Sequence, residues 1–127
     1  MDGQIPNDRA YTPTHEWVKV SNGLATIGIT AHAASELGDI TYLDLPEPGM
    51  AVAAGAKVGE IESVKAVSDF YSPVSGVVTQ RNDAIIDSTE VVNQFPYEAG
   101  WLICVELSNA SELDSLLDSA AYGELPG

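Results

Sequence analysis

The sequence predicts one mainly β domain made of short strands and a few small helices. Three observations support this prediction. Eleven glycines and seven prolines interrupt the 127 residues, which favours many short elements over a few long helices. Between these interruptions, apolar and polar residues alternate as they do in half-buried strands. The regular succession of strand and long helix that builds a doubly wound fold is absent.

Residues 1–9 are predicted to be a flexible lead-in, and residues 10–127 to form the single domain. A chain of this length can bury one core but is short for two. Within the domain, residues 17–20 and residues 24–29 follow the strand pattern, and the Ser-Asn-Gly of residues 21–23 supplies a turn between them. These three segments predict a β-hairpin.

A short helix is predicted directly after the hairpin. Thr30 can cap a helix over residues 31–37, because its hydroxyl can accept a hydrogen bond from the first helical turn. Gly38 stands where helices commonly end. Further extended segments are predicted at residues 40–45, 51–53, 57–64, 66–70, 77–81 and 101–107.

Two later segments are predicted to contain helix. Residues 85–92 are ambiguous, because residues 87–90 could cap a short helix that runs through Asn93. From Ser111 onward, three leucines fall at helical spacing and predict a C-terminal amphipathic helix. These leucines are Leu113, Leu116 and Leu117.

The chain is strongly acidic, with a formal net charge of −14 and only five lysines and arginines. Nucleic acid and anionic membranes are therefore not expected as partners, since both need a basic surface. The charge is interpreted either as a solubility surface or as a means of steering the protein towards basic patches on other proteins. Residues 1–9 resemble neither a signal peptide nor a presequence, so we expect a bacterial cytoplasm; a mitochondrial matrix would require a transit peptide that has been removed.

The sequence contains no convincing catalytic or metal-binding motif. His15 and His32 are the two histidines, and no Cys/His cluster has zinc-site spacing. Cys104 is the single cysteine; it lies in an apolar run without basic neighbours, so we expect a structural role. The sequence therefore predicts a protein that is not an enzyme.

Lysine is the informative residue type, because the chain contains only Lys19, Lys57 and Lys65. Lys65 interrupts an apolar run that has no glycine, asparagine or proline to mark a turn. Pattern alone places it either in the middle of a strand or at a tight type I turn. At a turn, its flexible stem and primary amine would suit amide attachment of a prosthetic arm, although an ordinary surface lysine fits the same pattern.

Residues 59–76, which include Glu62-Ser63-Val64-Lys65-Ala66, resemble the lipoylation segment of the glycine cleavage H-protein family. The Tyr-Thr-Pro-Thr-His-Glu-Trp-Val of residues 11–18 is similar to the opening motif of that family. Other similar motifs follow in the same order at residues 25–30, 37–40, 45–49, 91–93 and 100–101. The resemblance implies a barrel-sandwich hybrid, related to lipoyl and biotinyl domains, with short helices and a C-terminal helix.

The same resemblance implies that Lys65 carries lipoate in amide linkage. Its neighbours Glu62, Ser63, Val64 and Ala66 would then be recognised by a lipoate ligase or a lipoyl/octanoyl transferase. The implied protein is a monomeric shuttle. It carries an aminomethyl group from a pyridoxal-phosphate glycine decarboxylase to a tetrahydrofolate-dependent aminomethyltransferase, and its dihydrolipoyl group is reoxidised by dihydrolipoyl dehydrogenase.

A carrier of this family folds its loaded arm back onto the protein surface, where acidic side chains can pair with the ammonium of the cargo. By position, Glu16 and Asp69 are expected to serve in this cleft, together with Thr14 and Glu36. Thr89 and residues 95–101 depart from the usual pattern of the family. They lie away from the lysine, so the departure concerns partner docking.

Other carriers remain as alternatives. A biotin carrier usually has methionines beside its lysine, and the lipoyl domain of a 2-oxoacid dehydrogenase usually has aspartate there, whereas this chain has Val64 and Ala66. A related protein that mainly relays lipoate to other complexes fits the same residues. An acidic interaction module without a modified lysine is the alternative from a different class.

Overall fold

The computed structural model describes residues 5–125, which form two antiparallel sheets with short helices between strands. The strands are β1 (Ala10–Tyr11), β2 (Glu16–Ser21), β3 (Leu24–Ile29), β4 (Ile40–Asp44), β5 (Ala51–Val52), β6 (Lys57–Ser63), β7 (Val67–Tyr71), β8 (Gly76–Arg81) and β9 (Ile103–Leu107). The α-helices are α1 (Ala31–Leu37), α2 (Glu90–Gln94) and α3 (Ser119–Gly123), and 3-10 turns cover Asp83–Ile85 and Ala110–Ser115. The predicted mainly β class is confirmed.

The larger sheet has the strand order β1-β2-β3-β9-β8-β5, and the smaller sheet has the order β4-β6-β7. Alternate side chains of both sheets point inward and form one apolar core. Ile27, Val78 and Val105 come from the larger sheet, and Ile61 and Phe70 from the smaller one; all five are almost completely buried. No helix among residues 5–125 is long and apolar enough to cross a membrane.

The predicted β2–β3 hairpin is confirmed, and its turn has the expected chemistry. Asn22 and Gly23 both have positive φ, 54° and 78°, as the two central residues of a type I′ turn require. The pairing runs without interruption from Ser21 opposite Leu24 to Glu16 opposite Ile29. Trp17 therefore lies opposite Gly28.

Helix α1 has the predicted limits. The Thr30 side chain accepts a hydrogen bond of 3.2 Å from the backbone N–H of Ala33, which is the expected cap. Gly38 ends the helix with φ 73°, and its N–H donates to the Ala34 carbonyl at 3.1 Å. The helix buries Ala34 and Leu37 against the core.

The C-terminal helix exists, but the predicted leucines do not share it. Leu113 lies in the 3-10 turn, and Leu116 is extended. Leu117 pairs with Tyr11 through two backbone hydrogen bonds of 2.8 Å, so tertiary pairing replaces the local helical preference. Asp118 then caps α3 by accepting from Ala121 N–H at 2.8 Å.

Part of the predicted lead-in over residues 1–9 contacts the rest of the domain. Ile5 packs against an aromatic cluster of Tyr11, Trp17 and Tyr122. The side chain of Arg9 is buried, its guanidinium lies 4.6 Å from the centre of the Trp17 ring, and it donates to a backbone carbonyl at 2.8 Å. Residues 1–4 lie outside the described range.

Candidate functional site

Lys65 lies on the hairpin turn between β6 and β7, so the turn is the correct one of the two predicted placements. The turn is closed by the Ser63 N–H, which donates to the Ala66 carbonyl at 2.8 Å. The Ser63 hydroxyl also accepts from the N–H groups of Lys65 and Ala66, at 3.3 and 3.1 Å. This side chain takes the place of a turn-forming glycine or asparagine and leaves the lysine exposed.

The lysine turn rests on the segment between α1 and β4. The N–H of Val64 donates to the Asp39 carbonyl at 3.0 Å. The lysine stem passes beside Gly38, where a methyl group added to the glycine would lie 3.6 Å from Lys65 Cε. Across residues 5–125, the Lys65 ammonium takes part in none of the ion pairs, so its amine is free.

Helix α2 holds this supporting segment in place. Asn93 donates from Nδ2 to the Gly38 carbonyl at 2.7 Å and accepts from the Ile40 N–H at 3.0 Å. The predicted short helix exists as α2, with Thr89 at its N-cap position, but the Thr89 hydroxyl donates to the Ile40 carbonyl and makes no capping hydrogen bond. No local sequence pattern indicates the role of Asn93, because its contacts are to backbone groups distant in the chain; only its place in a family motif, at residues 91–93, points to it.

Glu16 is the most deeply buried of the predicted cleft residues, with 2% of its surface exposed. Its Oε1 accepts hydrogen bonds from the hydroxyls of Thr12, at 2.7 Å, and Thr14. Burial raises the pKa of the Glu16 carboxyl, and the two hydroxyls and the Tyr71 backbone N–H act against that rise. The structure therefore joins Glu16 and Thr14 directly.

Asp69 reaches this pair through Tyr71. The Tyr71 hydroxyl donates to the Asp69 carboxylate at 3.2 Å, and this bond raises the pKa of the tyrosine. Lys57 also forms an ion pair with Asp69 at 3.2 Å. Asp69 is thus already partly neutralised, whereas Glu16 has no basic partner within the described part of the chain.

Glu36 lies on α1, one helical turn from His32, and their side chains approach to 3.6 Å. The His32 ring in turn lies 4.6 Å from the ring of His15, centre to centre. Burial first, and His32 second, lower the pKa of His15. Because His15 directly precedes Glu16, the two histidines connect Glu36 to the Thr14–Glu16 pair.

Tyr122, which is completely buried in α3, contacts this group of side chains, and no sequence pattern indicates it. Its hydroxyl lies 2.6 Å from His15 Nδ1 and 2.7 Å from Thr30 Oγ1. Burial raises the pKa of Tyr122 to about 12. The C-terminal helix therefore touches both α1 and the turn that carries Glu16.

The remaining reactive side chains form no centre of their own. Residues 5–125 contain no group of three or more histidine, cysteine or carboxylate side chains placed to hold a metal ion. Cys104 is half-buried on β9, with its sulfur 3.5 Å from the Thr26 hydroxyl. The lysine turn and the group of acidic side chains around Glu16 are the features that need a functional explanation.

Comparison with known proteins supplies the family. The family model described as glycine cleavage H-protein matches residues 9–126 of the chain. The chain belongs to this family. A glycine cleavage system H protein of Alcanivorax borkumensis is 51% identical over 119 residues, which are 94% of this chain and 93% of the relative. One from Halorhodospira halophila is 49% identical over 123 residues, which are 96% of this chain and 95% of the relative.

The family assignment also covers the fold. The crystal structure of a glycine cleavage system H protein from Mycobacterium marinum superimposes with a TM-score of 0.88 at 38% sequence identity. The match covers 94% of this chain and 96% of the other. The barrel-sandwich architecture expected from the H-protein resemblance is therefore confirmed.

Proposed function

We propose that this chain is the lipoyl carrier of the glycine cleavage system and that Lys65 bears the lipoate in amide linkage. The observation that supports this most is the setting of Lys65. Its backbone is fixed by Ser63 on one side and by the bond from Val64 to Asp39 on the other, while its amine stays exposed and unpaired among the described residues. A modifying enzyme can acylate such an amine without unfolding the hairpin.

The surroundings of Lys65 fit a long attached chain. Gly38 presents no side chain to the lysine stem. Val64 and Val67 are 68% and 60% exposed, so apolar surface is available on both sides of the attachment point. Glu62, Ser63, Val64 and Ala66 are proposed to be what the lipoate ligase or the lipoyl/octanoyl transferase recognises.

Attached lipoate would supply a flexible arm whose sulfur accepts the aminomethyl group. The chain itself supplies reach and a high local concentration of the arm at each partner. The proposed partners are a glycine decarboxylase, an aminomethyltransferase and a dihydrolipoyl dehydrogenase. In this proposal no side chain of the carrier acts as a catalytic acid or base, and residues 10–127 work as one monomeric domain in the cytoplasm.

The acidic surface is proposed to shelter the cargo. Glu16 is held by hydroxyl donors on Oε1 and by the Tyr71 backbone N–H, and within residues 5–125 no side chain donates to Oε2. A cationic ammonium would favour the charged form of this carboxylate and so offset the cost of its burial. Thr14 supports Glu16 directly, while Asp69 is linked to Glu16 through Tyr71 and Glu36 through the two histidines.

Intact-mass analysis of protein from its native host tests the attachment, with peptide mapping to place the adduct. We expect one lipoyl group on Lys65, none in Lys65→Arg, and normal modification in Lys19→Arg, a control at another exposed lysine. A biotinyl adduct, or an unmodified Lys65 in cells with active lipoylation, would contradict the proposal. Glycine–bicarbonate exchange with purified decarboxylase then separates glycine cleavage from lipoate relay.

A further inference from the structure

Tyr122 connects the two elements that border the proposed cargo site. Its hydroxyl lies within hydrogen-bond distance of Thr30 Oγ1, at 2.7 Å, and of His15 Nδ1, at 2.6 Å. Thr30 begins helix α1, whose far end at Gly38 lies beside the Lys65 stem. His15 immediately precedes Glu16 in the chain. One hydroxyl in the C-terminal helix therefore touches both borders.

The direction of these hydrogen bonds follows from counting protons. Thr30 is fully buried, and its oxygen already accepts the Ala33 N–H. Its own proton needs an acceptor, because an unpaired buried donor is costly. Among the described residues that acceptor is the Tyr122 oxygen. Tyr122 must then donate its single proton to His15 Nδ1, so His15 carries its proton on Nε2.

This arrangement requires neutral His15. A proton on Nδ1 would make His15 a second donor to the Tyr122 oxygen and leave either the Tyr122 or the Thr30 proton without an acceptor. The groups that face His15 are His32 and Glu36 from α1 and Tyr122 from α3. Burial and His32 lower the pKa of His15, in agreement with a neutral ring.

The backbone at His15 has an uncommon conformation. Its φ of 73° lies in the left-handed region, which is unfavourable for residues other than glycine. The turn is closed by the His15 N–H, which donates to the Thr12 carbonyl at 3.1 Å, and by the Thr30 N–H, which donates to the His15 carbonyl at 3.0 Å. Glu16 follows this turn directly, so its placement depends on the turn.

We propose that Tyr122 is a positioning residue for the cargo site: its hydroxyl fixes the ring and the turn at His15 and thereby holds Glu16 where it meets the ammonium of a loaded arm. The inference rests on the proposed function of Glu16. It assigns to the C-terminal helix a role in the lifetime of the cargo, in addition to its packing. Loss of the hydroxyl would leave the buried Thr30 proton unpaired and remove the partner of the partly buried His15 Nδ1.

The first test uses the unmodified wild-type protein and nitrogen NMR of its imidazole rings. We expect His15 as the Nε2–H tautomer at neutral pH, and a change of tautomer or a mixture in Tyr122→Phe. Tyr42→Phe is the matched control, since Tyr42 is exposed and lies on β4 of the smaller sheet. A wild-type spectrum with the proton on Nδ1 would overturn the proposal without reference to any variant.

The second test measures the decay of the isolated protein after loading with the aminomethyl group. Tyr122→Phe loses the hydrogen bonds to both Thr30 and His15, and its loaded form should decay about two- to tenfold faster, with Tyr42→Phe unchanged. Faster decay in Glu16→Gln but not in Tyr122→Phe would remove the positioning role and keep the proposed shelter. If neither variant decays faster, the shelter itself is refuted.

Discussion

Replacing Asn93 by alanine should loosen the support of the lysine turn. The change removes two side-chain hydrogen bonds, of 2.7 Å to the Gly38 carbonyl and 3.0 Å from the Ile40 N–H. Each such bond contributes about 0.5–1.5 kcal/mol, so the free energy of unfolding should fall by about 1–3 kcal/mol. For a domain of this size that corresponds to a fall in Tm of roughly 3–10 °C.

The functional part of this prediction concerns Val64, whose N–H donates to Asp39 within the segment that Asn93 holds. Amide exchange at Val64 should become faster in Asn93→Ala, because local opening of this segment no longer has to break the two Asn93 hydrogen bonds. The rate of lipoylation by a purified ligase should fall through a higher KM. Gln94→Ala is the control, because Gln94 is an exposed residue of the same helix.

The unfolding measurement and the two measurements on the lysine turn, amide exchange and KM, test different parts of this prediction. An unchanged free energy of unfolding in urea would mean that the Asn93 hydrogen bonds contribute no more than the bonds that the same groups make to water in the unfolded chain. A destabilised variant with unchanged exchange at Val64 and an unchanged KM would mean that Asn93 stabilises the fold without supporting the lysine turn.

Two further predictions concern Glu16 and Gly28. The pKa of folded Glu16 is raised by burial, so the wild type loses stability as pH rises through that pKa. In Glu16→Gln this loss should be absent when the free energy of unfolding in urea is measured from about pH 4 to about pH 8. Parallel curves of unfolding free energy against pH for wild type and variant would contradict the prediction. In Gly28→Ala, the new methyl would lie 2.6 Å from the Trp17 ring, so unfolding free energy should fall by about 1–3 kcal/mol. An unchanged urea midpoint would show that the indole moves aside freely.

The local elements of the fold could be predicted because their causes are local. The positive φ angles at Asn22 and Gly23 and the cap at Thr30 depend on a few adjacent residues, and the sequence displays them. The C-terminal segment could not be predicted in this way. Leu117 leaves its helical pattern to pair with Tyr11, a partner too distant in the chain for any periodicity to reveal.

The candidate site shows the same division. Lys65 stands out in the sequence as a lysine in an unusual setting, and the family resemblance supplies its proposed attachment. Its support by Asn93 and the contact of Tyr122 with His15 depend on side chains 53 and 107 residues from their partners. Hydrogen bonds over such separations follow from the assembled sheets, so no local motif indicates them.

The pairing of Tyr11 with Leu117 has a consequence for the order of folding. The hairpins β2–β3 and β6–β7 join neighbouring segments and can form early, whereas contacts between distant segments carry a larger loop-closure cost and form late. Tyr11 also stacks on Tyr122, with ring centres 4.8 Å apart. Tyr122 therefore reaches His15 only after the chain has been synthesised through α3. A chain emerging from the ribosome would present its lysine turn before Tyr122 has made its contacts with His15 and Thr30.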